Sequence, residues 1–322
     1  MIVSHISPRI KEYEHIFTIN GGGKMRIDRA LEDVRLFKAL TGVSKQEFEE
    51  LLPEFERVLA EHFNRKDRKR IVGGGRKGAL KTVKHKLFFI LFFLKIYPTC
   101  DLAGFFFDVD RSKPCIWYHF LLGVLEEVLK RKISLPKRKI HSIEEFLRAF
   151  PEAKDLFIDG TERKTQRPKK PKNQKNQYSG KKKAHTRKNT IICDENKRIM
   201  LVSPTKNGRI HDKPQLEKEG TLNNIPKSTN IWVDMGFMGI EKLIKNGNKV
   251  FMPKKKPKGG ELTPKEKEEN RFISSIRIVV EHAICGIKRF RCLTDLYRSK
   301  NGIDDKFITI CAGLWNFHLD FA

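Results

Sequence analysis

Three acidic residues stand where carboxylates from separate elements could meet. Asp159 ends the run DLFID, Asp234 ends the run NIWVD, and Glu281 lies within RIVVEHAICGIKRF. The first two runs are typical of short strands and the third is typical of a helix. Converging carboxylates are the oxygen ligands that Mg²⁺ prefers, and two such ions support phosphodiester hydrolysis or transfer. We therefore predict Asp159, Asp234 and Glu281 as catalytic metal ligands for two Mg²⁺ ions, with Mn²⁺ as a substitute.

Each carboxylate also has an ordinary structural interpretation. Asp159 precedes a glycine and Asp234 precedes Met-Gly, so either residue could form a turn. Glu281 could be a solvated helix residue, which is the usual place of a glutamate. Asp212 competes for the second metal position, but it follows a loop and is predicted to cap a helix.

Two cations share the helix of Glu281. Arg277 precedes it by four residues and Lys288 follows it by seven, so at ~100° a residue the three lie within ~40° of one another. We predict that Arg277 and Lys288 contact phosphates. The alternative is a surface ion pair between Arg277 and Glu281, which contributes ~0.3–0.5 kcal/mol.

The charge of the chain predicts a polyanionic partner. The 322 residues include 66 Lys and Arg against 39 Asp and Glu, a formal net charge of +27. Nucleic acid is the simplest partner for such a protein, and the alternative is a merely soluble basic protein. We predict that residues 163–188, which carry no acid, form a loop passing into a strand and follow phosphates together with Lys254–Lys258. The DNA contacts predicted within these two segments are Lys181, Lys182, Lys183, Lys254 and Lys255.

The first part of the chain reads as helices. A capping box, Ser44 to Glu47, opens an amphipathic helix, and residues 81–97 form a helix that is apolar on nearly every side. A short helix over 99–107, a turn over 108–110 and a longer helix over 111–131 have the layout of a helix-turn-helix. The DNA contacts predicted at the start of the longer helix are Arg111 and Lys113, while Trp117 belongs either to this surface or to the buried stripe.

The remainder reads as a mixture of strands and helices. The predicted order is β-β-β-α-β-(α)-β-α, with a long helix that starts after a capping box at Thr263 and runs to about Cys292. We predict an α/β fold preceded by an all-helical part. The predicted domains are a helical region with a basic linker over 1–75, a helix-turn-helix domain over 76–140 and a catalytic domain over 150–322.

Several classes of protein are excluded by pattern. No apolar run approaches the ~20 residues of a bilayer span, and the first residues lack the basic and apolar regions of a secretory signal. Six cysteines are scattered without a CxxC pair, which argues against a disulfide framework and a zinc site. We expect a cytoplasmic, nucleoid-associated protein with no membrane partner.

Five segments carry a specific resemblance. LFFILFFLKIYPT, IDGTERKTQRPK, YSGKKKAHTRKN, VDMGFMG and RIVVEHAICGIKRFR occur in this order, and the likeness extends from about residue 75 to the end. In them the chain resembles DDE transposases of the bacterial insertion-sequence-five type, which are related to Harbinger transposases. The resemblance implies an RNase H-like mixed sheet flanked by helices, behind a helix-turn-helix domain. It also implies that Asp159, Asp234 and Glu281 are the catalytic triad.

The same resemblance places a further signature on the long helix. The Arg-Glu-Lys part of the family's YREK signature falls on Arg277, Glu281 and Lys288, while the tyrosine position holds Ser274. The implied function is binding of terminal inverted repeats, metal-dependent cutting, and joining of 3′-OH ends to target DNA by a dimer or higher oligomer. The alternatives are a DNA-binding regulator derived from a transposase without transposition activity, and a structural RNA-binding protein. Acids after two strands favour the enzyme.

Overall fold

The computed structural model divides the chain into two compact units, Met1–Val128 and Leu129–Ala322. It describes residues 27–63, 78–211, 214, 216–217, 220–299 and 302–322. Asp212 lies outside these described residues. Within the same ranges, no helix combines the length and apolar character that a bilayer span requires.

The first unit is helical. Its described helices are α1 (Ile27–Glu32), α2 (Val34–Thr41), α3 (Lys45–Phe63), α4 (Val83–Ile96), α5 (Cys100–Phe107) and α6 (Ser112–Arg131), the last of which crosses the boundary to the second unit. The predicted capping box before α3 is confirmed, because the Glu47 amide donates to Ser44 Oγ over 3.1 Å and the Ser44 amide donates to Glu47 Oε2 over 3.2 Å.

Helix α4 is the centre of this unit. Residues 87–94 are each at most 3% exposed, and α2 and α3 both pack against it. The Trp117 ring of α6 meets the Phe89 ring edge-on at 5.3 Å and the Phe107 ring at 6.4 Å. Trp117 therefore belongs to the apolar stripe that faces α4, which settles the alternative left open by its position.

The turn between α5 and α6 depends on one close approach. A Cβ at Gly104 would lie 2.7 Å from the Val109 carbonyl oxygen, so a larger residue would push the turn away from α5. The Asp110 carboxylate accepts the Ser112 amide over 2.9 Å and starts α6. Helix, turn and helix thus lie within a residue of the predicted limits.

The second unit is a mixed sheet flanked by helices. Its described elements are α7 (Ile143–Ala149), β1 (Asp155–Lys164), α8 (Pro171–Gln177), β2 (Tyr178–Ser179), β3 (Ala184–Cys193), β4 (Ile199–Val202), β5 (Lys206–Asn207), β6 (Asn230–Val233), β7 (Val250–Phe251), α9 (Pro264–Lys288) and α10 (Asp304–Leu319). The strand order is β2–β3–β1–β6–β7, and β4 and β5 also pair with β3. Strand β1 is antiparallel to β3 and parallel to β6. The predicted α/β class is confirmed.

Alternation along the strands separates two faces of this sheet. Ile158 and Val233 point into the apolar core, where they join Phe146 and Phe237. Because successive side chains point to opposite faces, Asp159 and Asp234 point the other way. Helix α9 packs against β1, β3 and β6, and Arg277 of α9 contacts Asp234. The two aspartates therefore share the face that α9 covers.

Two predictions about element limits were wrong. Residues 163–188 are not mainly a loop, because they contain the end of β1, α8, β2 and the start of β3. The reason is the long pairing of β1 with β3, which continues to Lys164 opposite Thr186. The long helix begins after the predicted capping box at Thr263, but it ends at Lys288 rather than near Cys292.

Helices α9 and α10 meet at a glycine. A Cβ at Gly286 would lie 2.3–2.6 Å from three ring atoms of Trp315. We expect Gly286→Ala to lower the free energy of unfolding by ~1–3 kcal/mol, because the ring must shift. Gly123→Ala is the matched control, since nothing lies within 4 Å of its Cβ position in α6, and it should raise stability by ~0.5–1 kcal/mol. Denaturant melts of both variants test this. Equal free energies of unfolding for the two variants would contradict the close contact between Gly286 and Trp315.

Candidate active site

Parallel pairing brings Asp159 and Asp234 side by side. The register pairs Ile158 with Val233, so the next residue of each strand is an aspartate. Asp234 keeps an extended backbone, with φ −82° and ψ 162°, and neighbouring strands lie ~4.8 Å apart. The two carboxylates thus leave adjacent strands toward the same face.

Neither aspartate is a simple turn residue. Strand β1 continues through Asp159, and the Asp159 carboxylate accepts the Gly160 amide over 2.7 Å. Asp234 precedes a short 3₁₀ turn, Met235–Phe237, but its side chain makes no capping hydrogen bond there. The turn-forming interpretation is therefore wrong for Asp159. Asp234 does begin a turn, because its carbonyl accepts the Phe237 amide over 2.9 Å, but its carboxylate is left to another partner.

That partner is Arg277 of α9. Its Nη1 lies 3.4 Å from Asp234 Oδ1, and the residue is 7% exposed. In the part of the chain that the structure describes, Asp234 is its only ion-pair partner and its Nε has no hydrogen-bond partner. The predicted alternative of a surface pair with Glu281 is thus wrong. Arg277 instead brings a buried positive charge to the two strands.

The surroundings of Asp159 disfavour its ionised form. Burial raises the pKa of Asp159, and the nearby Asp234 carboxylate adds to the rise. The Gly160 amide and the charges of Arg277 and Lys181 oppose this change and lower the same pKa. Asp159 therefore lies in a site where added positive charge would be favourable.

The third predicted carboxylate, Glu281, is on α9 with Arg277 but apart from Asp159 and Asp234. Glu281 is exposed on α9, and Lys288 is half-buried as the last residue of that helix. Among the described residues, no group of three or more His, Cys, Asp and Glu side chains lies close enough to hold a metal ion. The structure thus brings together Asp159, Asp234 and Arg277, and it leaves Glu281 facing solvent.

The pair suits a divalent cation. Hard cations take carboxylate oxygens, and a cation beside Asp159 would favour the ionised form that burial disfavours. The residues present therefore fit such an ion.

Part of the predicted phosphate-binding segment is structural instead. Arg163 is 3% exposed, and its Nη2 lies 2.9 Å from Asn189 Oδ1 and 3.6 Å from Asp304 Oδ2. Lys188 is also buried, with its Nζ 3.4 Å from Glu162 Oε1. The prediction that the whole segment follows phosphates is wrong for these two cations, because their strands bury them.

Most of the predicted DNA contacts are exposed. They are Arg111, Lys113, Lys181, Lys182, Lys183, Lys254 and Lys255. Lys254 is held by acids of α9, with its Nζ 2.8 Å from Glu269 and 3.8 Å from Glu266. Arg111 makes a long contact of 3.5 Å to Asp101. The other five cations, apart from these two, have no ion pair among the described residues.

Sequence reasoning missed most of a cleft beside α9. The cleft is lined by Leu262, Lys267, Asn270, Arg271 and Ser274. The signal that could have found it is helical spacing, because positions 267, 270, 271 and 274 continue the stripe of Arg277 and Glu281 toward the start of the helix.

The raised pKa of the half-buried Asp159 gives a testable prediction about stability. In the metal-free protein, Asp159→Asn should raise the melting temperature at neutral pH, because the pKa of Asp159 is raised and the ionised form destabilises the fold. The difference should shrink as the pH falls through that raised pKa, since the wild-type carboxyl then becomes neutral too. Thermal melts against pH check this. An equal or lower melting temperature of Asp159→Asn at neutral pH would contradict the statement that the ionised Asp159 carboxylate destabilises the fold.

Comparisons with known proteins find one family and one relative that the chain resembles. Residues 158–316 match the family described as DDE superfamily endonuclease. A protein of Microchaete diplosiphon described as a probable transposase for insertion sequence element IS702 is 29% identical over 296 residues, covering 92% of this chain and 99% of the relative. No solved structure matches the chain. The matched region contains Asp159, Asp234 and Glu281.

Proposed function

We propose that this protein is a DNA transposase of the insertion-sequence-five type, related to Harbinger transposases. It binds the terminal inverted repeats of its element, cuts them by metal-dependent hydrolysis and joins the 3′-OH ends to target DNA. The observation that carries the proposal is the in-register pair of Asp159 and Asp234 on parallel strands, with buried Arg277 beside it. The likeness to a transposase over 92% of the chain supports it.

Asp159 and Asp234 would hold a divalent cation, for which Mg²⁺ is the expected ion and Mn²⁺ a substitute, with Glu281 as a further ligand. When bound, two such ions supply the charge that activates an attacking oxygen and stabilises a leaving one. Arg277 fixes the Asp234 carboxylate through its 3.4 Å contact, and its remaining charge favours a phosphate nearby. Lys288, at the end of the same helix, would hold a neighbouring phosphate.

The reaction has two displacements at phosphorus. Water first attacks the phosphodiester at the element end, and the bond to the 3′ oxygen breaks so that this oxygen leaves as a hydroxyl. That 3′-OH then attacks a target phosphodiester. A phosphodiester bond forms between the element end and the target, and the target 3′ oxygen leaves as a hydroxyl. The chain orients the DNA throughout, through the exposed Lys181, Lys182, Lys183 and Lys255.

The rest of the chain would bind and assemble. The order β4–β3–β1–β6–β7, antiparallel over the first three strands and parallel after them, supports an RNase H-like catalytic domain over 150–322. We propose that residues 76–140 form a helix-turn-helix domain that binds the repeats through α6, behind a helical region with a basic linker over 1–75. Two element ends held together require a dimer or higher oligomer.

A DNA-binding regulator without cleavage is the competing function. It would share the exposed cations of α6 and of the second unit. It offers no use for two like charges held together on adjacent strands, one of them with a raised pKa. This arrangement favours the enzyme.

The first test removes the acids. Asp234→Asn and Glu281→Gln should abolish Mg²⁺-dependent cleavage of a supercoiled plasmid that carries the gene with its flanking DNA, because each would remove a metal ligand. Binding of the flanking DNA should remain, and Glu281→Gln should change stability by less than ~0.5 kcal/mol because the residue is exposed.

The matched control is Glu268→Gln, an exposed glutamate elsewhere on α9 with no ion pair among the described residues. It should cut normally. Normal cleavage by a folded Glu281→Gln protein would remove Glu281 from the metal site, and normal cleavage by Asp234→Asn would overturn the proposed function.

The second test concerns binding. Arg111→Ala combined with Lys113→Ala should weaken gel-shift affinity for the flanking DNA by ~10-fold or more at low salt, because two phosphate contacts are lost. Both residues are exposed at the start of α6, so the fold should persist. Arg35→Ala with Lys38→Ala, two exposed cations of α2, is the matched control and should bind normally. If the Arg111→Ala, Lys113→Ala variant bound the flanking DNA as tightly as this control, recognition would lie outside α6.

A further inference from the structure

A cleft of about 410 Å³ lies beside the first half of α9. Four of its five lining residues belong to the helix, namely Lys267, Asn270, Arg271 and Ser274, and the fifth is Leu262 just before it. With ~100° a residue, these four positions and those of Arg277, Glu281 and Lys288 fall within ~120° around the axis. Ser274 lies within ~40° of Glu281 and Lys288, while Arg271 and Arg277 are ~120° apart at the two edges of this stripe.

The polar groups of the cleft differ in whether they have a hydrogen-bond or ion-pair partner. Lys267 pairs with Glu261 at 3.1 Å. In contrast, the exposed Arg271 guanidinium and the Ser274 hydroxyl have no hydrogen-bond or ion-pair partner among the described residues. A free guanidinium next to a hydroxyl matches the acceptor oxygens of a phosphate.

Asn270, one of the lining residues, makes two hydrogen bonds to a basic segment. Its Oδ1 accepts the Lys254 amide over 2.7 Å, and its Nδ2 donates to the Lys254 carbonyl over 3.0 Å. This double hydrogen bond holds the basic segment Lys254–Lys258 against α9. Lys255, Lys256 and Lys258 of this segment are exposed, so the segment adds positive charge next to α9.

We propose that this cleft binds the backbone of a DNA strand, with one phosphodiester on Arg271 and Ser274. The proposal rests on the proposed function and extends it to a second contact region on the same strand. Arg271 and Arg277 are six residues apart, or ~9 Å along the helix. One strand of a duplex advances ~3.4 Å along the duplex axis for each nucleotide, so with that axis parallel to α9 the bound phosphate lies ~3 nucleotides from a phosphate at Arg277.

Salt-dependent binding of the full chain tests the contact. The probe is a fluorescein-labelled duplex of about 30 base pairs, followed by anisotropy between ~50 and ~200 mM salt, where one phosphate contact changes affinity ~3.5-fold. Arg271→Ala should bind more weakly than wild type at low salt, and this difference should shrink ~3.5-fold across the range. Arg271→Lys keeps the charge and should retain the wild-type salt dependence.

Lys265→Ala is the matched control, because it removes the same charge from an exposed position of α9 that does not line the cleft. It should match wild type. If Arg271→Ala and Lys265→Ala gave the same salt dependence while the wild type bound and cut DNA, the cleft proposal would be overturned and the proposed function kept. If the wild type neither bound nor cut DNA, the proposed function itself would fail and the cleft proposal with it.

Discussion

The parallel pairing of β1 with β6 is the constraint on which the candidate site depends. It sets Asp159 and Asp234 next to each other on adjacent strands, and the Asp234 carboxylate contributes to the raised pKa of Asp159 because like charges repel. The fold tolerates this because buried Arg277 contacts one carboxylate and the Gly160 amide donates to the other. Such a pair destabilises the protein by itself and suits the binding of a cation.

The basic residues of the chain serve two physical roles. Some stabilise the second unit from within: Asp304, 1% exposed, lies 2.8 Å from Arg187 Nε and 3.6 Å from Arg163 Nη2, which joins α10 to β1 and β3. Removing one partner of a buried pair costs ~3–5 kcal/mol, so these cations are not available for a ligand. A run of lysines and arginines is therefore not by itself a nucleic-acid surface.

The other cations are exposed around α9 and the strand pair. Lys181 lies close enough to lower the pKa of Asp159. The two hydrogen bonds between Asn270 and Lys254 hold the segment Lys254–Lys258 beside α9. Helix α9 thus carries a buried arginine toward the carboxylates and exposed cations along its length. The first turn of this helix is fixed by a complete capping box between Thr263 and Glu266.

The sequence by itself determined where several helices start and that Asp159 and Asp234 follow apolar strand residues. Local signals such as the boxes at Ser44 and Thr263 depend on neighbouring residues alone, so they predicted helix starts correctly. Tertiary structure decided what local pattern cannot encode. Whether Arg163 faces solvent depends on Asp304, which lies far along the chain, and whether Arg277 pairs with Glu281 or Asp234 depends on how α9 packs on the sheet. The contact of Lys254 with Asn270 of α9 likewise joins residues that lie 16 positions apart in the chain.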